Sequence, residues 1–344
     1  AVANNFLMQF QADILGIPVD VPVIKDTTAL GAAQLAALGI GEFDSIEDLA
    51  SNWKLAKRYE PKMGAEERET LLYNWHRAVE RAKNWSERSV EMSAPKLFSP
   101  GPVMVKENVR QALTHYDICH RGKEFEELFA DTTAKINKLF KADDTYRSMI
   151  ISGSGTSSNE TVLSSIFNEG EKVMLIRNGE FGGRLLEIIE KYQIPLVDCE
   201  FEWAEYPDVE KIEKIMAADD DIKVVAMVFH ETSTGMINPV KEVGKVAAKY
   251  GKWFFVDCVS AAAGELIDVV DMNITFATSV GGKCLGAYPG SAYVCGKIDA
   301  LETLTPEMGK NVYLNLAKHY IKAKTDNQTP NTPNVNLFWA LEAA

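Results

Sequence analysis

A chain of 344 residues has room for about two domains and a sizeable buried core. Its composition, 46% hydrophobic and 25% charged with 23 Gly and 13 Pro, sits at the globular average and excludes a disordered, collagenous or coiled-coil chain. With 36 Lys and Arg against 49 Asp and Glu, the formal charge of -13 sets the overall field against nucleic acid and anionic membranes, so an anionic ligand needs a local site.

The first part of the chain, 1–91, reads as helical. Phe6, Phe10 and Ile14 fall on one helical stripe, Thr27 opens an Ala-rich helix, and a third helix from about Ala65 to Trp85 follows Pro61. That third helix has Glu66, Glu67 and Glu69 early and Arg81 and Lys83 late, which suits the helix dipole. A polar, turn-rich section from Ser86 to Pro102 marks a boundary near Met92. Beyond it, short apolar runs alternate with amphipathic stretches: 149–151, 173–176, 224–229, 253–256, 274–277 and 292–294, with helices over 159–168 and 239–250 between them. This is the pattern of an α/β sheet whose strands are buried on both faces. The expected division is 1–91, 92–325 and 326–344.

The five cysteines, Cys119, Cys199, Cys258, Cys284 and Cys295, form no C-x-x-C pair, and an odd sparse set suits a reducing compartment. There is no apolar leader at the N-terminus and no apolar run of the roughly 20 residues that span a bilayer. The expectation is a soluble, cytoplasmic protein with no nucleic-acid or membrane partner.

Three motifs carry chemistry. Ser152-Gly153-Ser154-Gly155-Thr156 follows a strand and opens a helix, so free amides and hydroxyls make an anion cradle. A plain strand-to-helix turn accounts for the same residues equally well; a dinucleotide fingerprint does not, because its last glycine and the following acid are absent. Asp257 ends a buried strand and calls for a cationic partner, or else caps a helix. Lys283 lies among small residues, where partial desolvation favours the neutral amine, although any single lysine is by default a solvated one. A cradle, a buried acid and a pocketed lysine on successive units are the three parts that a pyridoxal phosphate site needs.

Residues 96–297 resemble the large domain of class V, fold-type I aminotransferases, most closely the 2-aminoethylphosphonate:pyruvate and alanine:glyoxylate transaminases. The resemblance rests on Ser99-Pro100-Gly101-Pro102, His120-Arg121, Gly153-Ser154-Gly155, the run 178–182, His230-Glu231-Thr232-Ser233-Thr234-Gly235, Val256-Asp257 and Lys283. It implies a mostly parallel sheet flanked by helices, with pyridoxal 5'-phosphate (PLP) as cofactor. Ser154, Gly155 and Thr156 would hold the phosphate, Phe181 would stack on the ring, and Thr232 would contact the ring oxygen. Asp257 would pair with the ring nitrogen, with Val259 beside it, and Lys283 would join the cofactor covalently and shuttle protons. Gly101 would lie near the substrate. Thr329 would reach the phosphate of a second copy in a homodimer.

Two departures stand out. Gly282 occupies a position where the family usually has a polar side chain. The chain continues only to Ala344, where the family has a C-terminal small domain with a carboxylate-binding arginine, and no arginine follows Arg184 here. The expectation is therefore a truncated small domain. Residues 1–91 resemble instead the C-terminal end of glycerol kinase, without that enzyme's phosphate loops or catalytic acid, and the residue at Asn4 would lie near an adenine nucleotide.

The function expected is transfer of an amino group from a small donor (2-aminoethylphosphonate, alanine or serine) to pyruvate or glyoxylate. The rivals are a non-catalytic fusion of two fragments that binds PLP or adenine nucleotide without turnover, and a desulfurase or lyase on the same scaffold.

Overall fold

The computed structural model describes residues 4–24, 27–51, 53–83 and 96–344, and divides the chain into two units, Ala1–Ala94 and Pro95–Ala344. The boundary expected near Met92 lies outside the described residues.

The first unit runs α1 (Asn5–Leu15), β1 (Val19–Pro22), α2 (Thr27–Gly39), α3 (Ile46–Ser51), β2 (Leu55–Tyr59) and α4 (Ala65–Ala82). The Asn4 side chain caps α1 by accepting the Leu7 N–H. The buried Asp13 carboxylate accepts the Lys62 and Met63 N–H groups at 2.5 and 3.2 Å, which ties the end of α1 to the chain before α4. β1 and β2 pair antiparallel, and Met8, Ala12, Val21 and Tyr59 form a small core. The aromatic end of the Phe6–Phe10 stripe on α1 faces solvent. Phe6 and Phe10 are 67% and 38% exposed, while Met8 and Ala12 on the other side are buried. The β1–β2 pair, short and charged, was not legible as strand.

The second unit begins with α5 (Glu107–Ala112) and α6 (Lys123–Leu139), followed by β3 (Tyr146–Gly153), α7 (Gly155–Leu163), β4 (Lys172–Arg177), α8 (Glu180–Lys191), β5 (Leu196–Glu200), α9 (Val209–Ala218) and β6 (Ile222–Val228). A two-strand ribbon, β7 (His230–Glu231) and β8 (Met236–Ile237), precedes α10 (Val240–Lys249), β9 (Trp253–Asp257), β10 (Phe276–Val280), β11 (Gly290–Lys297), α11 (Ile298–Leu301), α12 (Leu316–Asp326) and α13 (Val335–Ala343).

Seven strands form one sheet in the order β3-β11-β10-β9-β6-β4-β5, in which β11 alone runs opposite to the rest. Every residue of β10 is buried, so the centre of the sheet is covered on both faces, as its continuous apolar runs require. Each of the expected runs overlaps a strand of this sheet, and the edge strand β5 was missed because its sequence, LVDCE, alternates charge with half-buried side chains. The tail expected to begin a further domain packs within this unit. Phe338 of α13 lies against Phe125 and Phe129 of α6 at ring-centroid distances of 5.1 and 6.1 Å. Because β3, β4, β6, β9 and β10 point the same way, the segments that follow them gather at one edge of the sheet, where ligands of open α/β sheets bind.

Candidate active site

A cavity of about 350 Å³ opens at that edge. It is lined by Ser154, Gly155 and Thr156 after β3, Phe181 and Arg184 on α8, Asp257 and Val259 at the end of β9, Gly282 and Lys283 after β10, and the Gly101-Pro102 segment. Five segments distant in sequence thus meet around one space.

The cradle is a helix N-terminus. Ser154 is the N-cap of α7 and its side chain makes no capping bond, which leaves first-turn amides for an anion. Gly155 is required by close approach, since a Cβ there would lie 2.7 Å from Val259 Cγ2. At Gly101, φ is +145° and a Cβ would lie 2.4 Å from Lys283 Cδ, so only glycine lets this loop pass over the lysine. Lys283 Nζ donates to Pro100 O at 3.2 Å.

Asp257 is 4% exposed. Sequence reading expected a cation against it; its hydrogen-bond donors are neutral instead, the Val259 N–H to Oδ1 at 2.8 Å and Asn159 Nδ2 to Oδ2 at 2.6 Å. Burial pushes this carboxyl up to about 6, against the pull of the Val259 and Asn159 donors. A buried carboxylate facing a cavity without an ion partner in hydrogen-bond reach fits a ligand bearing a protonated nitrogen.

Phe181 is half-buried, with the Arg184 guanidinium 4.8 Å from its ring centroid. The N-terminus of α8 that carries Phe181 is held by the fully buried Glu231. Its carboxylate accepts the Phe181 and Gly182 N–H groups at 3.1 and 3.0 Å and the Ser233 hydroxyl at 2.6 Å.

Two expected residues stand outside the cavity lining. Thr232 shares a 2.5 Å hydrogen bond with the Ser260 hydroxyl. Thr329 donates to Asn331 O, and its segment is gripped by Arg121, which donates to Gln328 Oε1, Thr329 O and Pro330 O at 3.0, 2.5 and 2.9 Å. The contact expected of Thr329 was with a second copy, not within one chain. His230 packs structurally, its Nδ1 donating to Ser260 O at 3.2 Å.

Asn159, Arg184 and Glu231 were missed as site residues. Glu231 lay inside a quoted motif, and an acid followed by Ser and Thr next to a strand end is the signal that would have flagged it. Of the five cysteines, Cys119 and Cys284, the latter beside Lys283, are exposed, and the other three are buried. Among the described residues, no helix is long and apolar enough to cross a membrane and no group of His, Cys, Asp or Glu could hold a metal ion.

The profile of the family described as Aminotransferase class-V matches residues 97–344, and that of the C-terminal domain of the FGGY family of carbohydrate kinases matches residues 1–40. An uncharacterized aminotransferase of Methanocaldococcus jannaschii is 36% identical over 250 residues, covering 72% of this chain and 64% of the relative. A 2-aminoethylphosphonate–pyruvate transaminase of Bacillus cereus is 34% identical over 206 residues, covering 60% of each. The chain thus spans less than two thirds of the length of these curated relatives. Among solved structures, a subgroup IV aspartate aminotransferase of Thermus thermophilus is similar with a TM-score of 0.66 at 25% identity, covering 72% of this chain and 69% of that one. An alanine–glyoxylate aminotransferase of Nostoc sp. shares the fold with a TM-score of 0.66 at 22% identity, covering 76% and 69%.

Proposed function

The chain belongs to the class-V aminotransferase family, whose members use PLP, and from that premise we propose that residues 92–325 are the cofactor domain of a transaminase. The amino group would pass from a small donor, 2-aminoethylphosphonate, alanine or serine, to pyruvate or glyoxylate. One observation carries the reading: the cradle at 154–156, the Asp257 carboxylate and Lys283, contributed by three strand ends, line a single cavity.

The amides and hydroxyls of Ser154, Gly155 and Thr156 bind the phosphate, with the positive end of the α7 dipole behind them. Asp257 accepts a hydrogen bond from the protonated ring nitrogen, and Val259 closes the space behind Gly155. Phe181 gives the ring a flat apolar wall, worth about 1 kcal/mol beyond its burial. Bound PLP supplies an electron sink for the substrate carbon that bears the amino group. Lys283 Nζ would hold the cofactor, and its amine would be the group that takes or gives a proton at that carbon. Gly101 keeps the loop at Pro100 close to the lysine, beside the place where a substrate enters. The protein would act as a homodimer, with Thr329 directed to the second copy, and its five free cysteines suit a reducing, cytoplasmic setting.

The alternative reading is that the chain binds PLP without turnover. The test is the full chain saturated with PLP and offered each donor with pyruvate or glyoxylate. Alanine or glycine formed by the unaltered chain and not by Lys283→Ala supports the transaminase. Cofactor bound with no product from any donor rejects it.

A further inference from the structure

Three buried polar side chains from three elements are joined in line. The Thr278 hydroxyl on β10 donates to Asn159 Oδ1 at 2.5 Å, and Asn159 Nδ2 on α7 donates to Asp257 Oδ2 at 2.6 Å. They are 0%, 3% and 4% exposed, respectively. A buried amide in an otherwise apolar layer is costly unless both of its ends are engaged, and here both are. The two ends differ, oxygen accepting and nitrogen donating, so neighbours decide which way the group faces. With the Thr278 hydroxyl on the amide oxygen, the NH₂ is turned to Asp257. The opposite orientation would set two oxygens against each other at this distance, which only a protonated carboxyl tolerates.

We propose that Asn159, turned by Thr278, is a positioning residue that keeps the Asp257 carboxylate ionised and rotationally fixed, ready to accept the proton-bearing ring nitrogen of the cofactor. The proposal rests on the reading of the cavity as a PLP site. A donor to the charged form of a carboxylate favours that form. The surrounding charges leave this task to Asn159. Glu231, on β7, disfavours a second negative charge; Arg184, on α8, favours it but acts only through space; Cys258 beside Asp257 is neutral; and Lys283, after β10, lines the same cavity. The Val259 N–H is the other donor, and being backbone it cannot be selected by sequence.

The test uses the full chain in two states. Without cofactor, the protonated-carboxyl infrared band is titrated against pH, with Asp257→Asn as the assignment control. Asn159→Leu is expected to raise the midpoint by about one pH unit, a tenfold change in acidity, and Thr278→Val, which keeps its volume, to raise it by less. Thr278→Ser is expected to restore it. With PLP added, the same two variants are expected to shift the pH profile of the cofactor's visible absorption in the same order. An unchanged midpoint in Thr278→Val and Asn159→Leu overturns the proposal; if Asn159→Leu does not fold, the Thr278→Val midpoint decides alone. A shifted midpoint in a chain that takes up no PLP upholds the coupling and rejects the cofactor reading, so the two fail separately.

Discussion

The carboxylate of Glu231 and the backbone of Phe181 are joined at 3.1 Å, and the acid is fully buried where α8 begins. An aromatic wall of the cavity is therefore aimed by a charge that never touches the space. Glu231→Ala would leave the Phe181, Gly182 and Ser233 amides without this acceptor, and we expect a loss of about 3 kcal/mol of stability in urea unfolding. Glu231→Gln keeps the size and one acceptor and is expected to lose less. A loss in Glu231→Ala below about 0.5 kcal/mol would show that the helix start is held by something else.

Asp257 sets a pH dependence of known sign. Its carboxyl is pushed up to about 6 from an ordinary 3.8, so between these values the folded chain holds a proton that the unfolded chain has released. Its contribution to stability is present below about 4 and is lost as pH rises through about 6. Ring-nitrogen binding needs the ionised form, so PLP affinity should fall as pH is lowered through about 6. Equilibrium binding measured from pH 8 to pH 5 checks this, and Asp257→Asn should bind weakly with a flat profile across that step.

His319 acts in the opposite direction. Burial pushes its imidazole down to about 4, and the neutral ring donates from Nε2 to Tyr313 O at 3.1 Å. Below the ordinary 6.5 the unfolded chain takes up a proton that the folded chain refuses, so stability falls as pH drops from about 6.5 toward 4. The difference between the unaltered chain and His319→Gln, followed by thermal unfolding across that window, isolates the slope from that of Asp257. Parallel curves would contradict it.

Gly155 and Val259 are expected to be coupled. Gly155→Ala places a methyl group 2.7 Å from Val259 Cγ2, and the overpacking should cost about 1–3 kcal/mol and weaken PLP binding. Gly155→Ala combined with Val259→Ala should recover much of the binding. A double-mutant cycle with no interaction energy would place the clash elsewhere.

The sheet was legible because β3, β4, β6 and β9 are continuous apolar runs, which sequence displays directly. β10 was read two residues early, since Thr278 and Ser279 look like turn residues until the sheet buries them. Lys283, Asp257 and the cradle were legible because each ends a strand in a motif of its own. Asn159 was not. Its role depends on Asp257 and Thr278, which are 98 and 119 positions away, and an isolated Asn in a helix carries no sign of that. On α1, likewise, periodicity identified a stripe, whereas packing decides which face is covered.

The account's central claim is that Lys283 holds the cofactor. The purified full chain, mixed with PLP and then reduced with borohydride, should carry the pyridoxyl group on the peptide containing Lys283, and Lys283→Ala should lose both the label and the visible band. A label on another lysine, or an undiminished band in Lys283→Ala, would contradict the account.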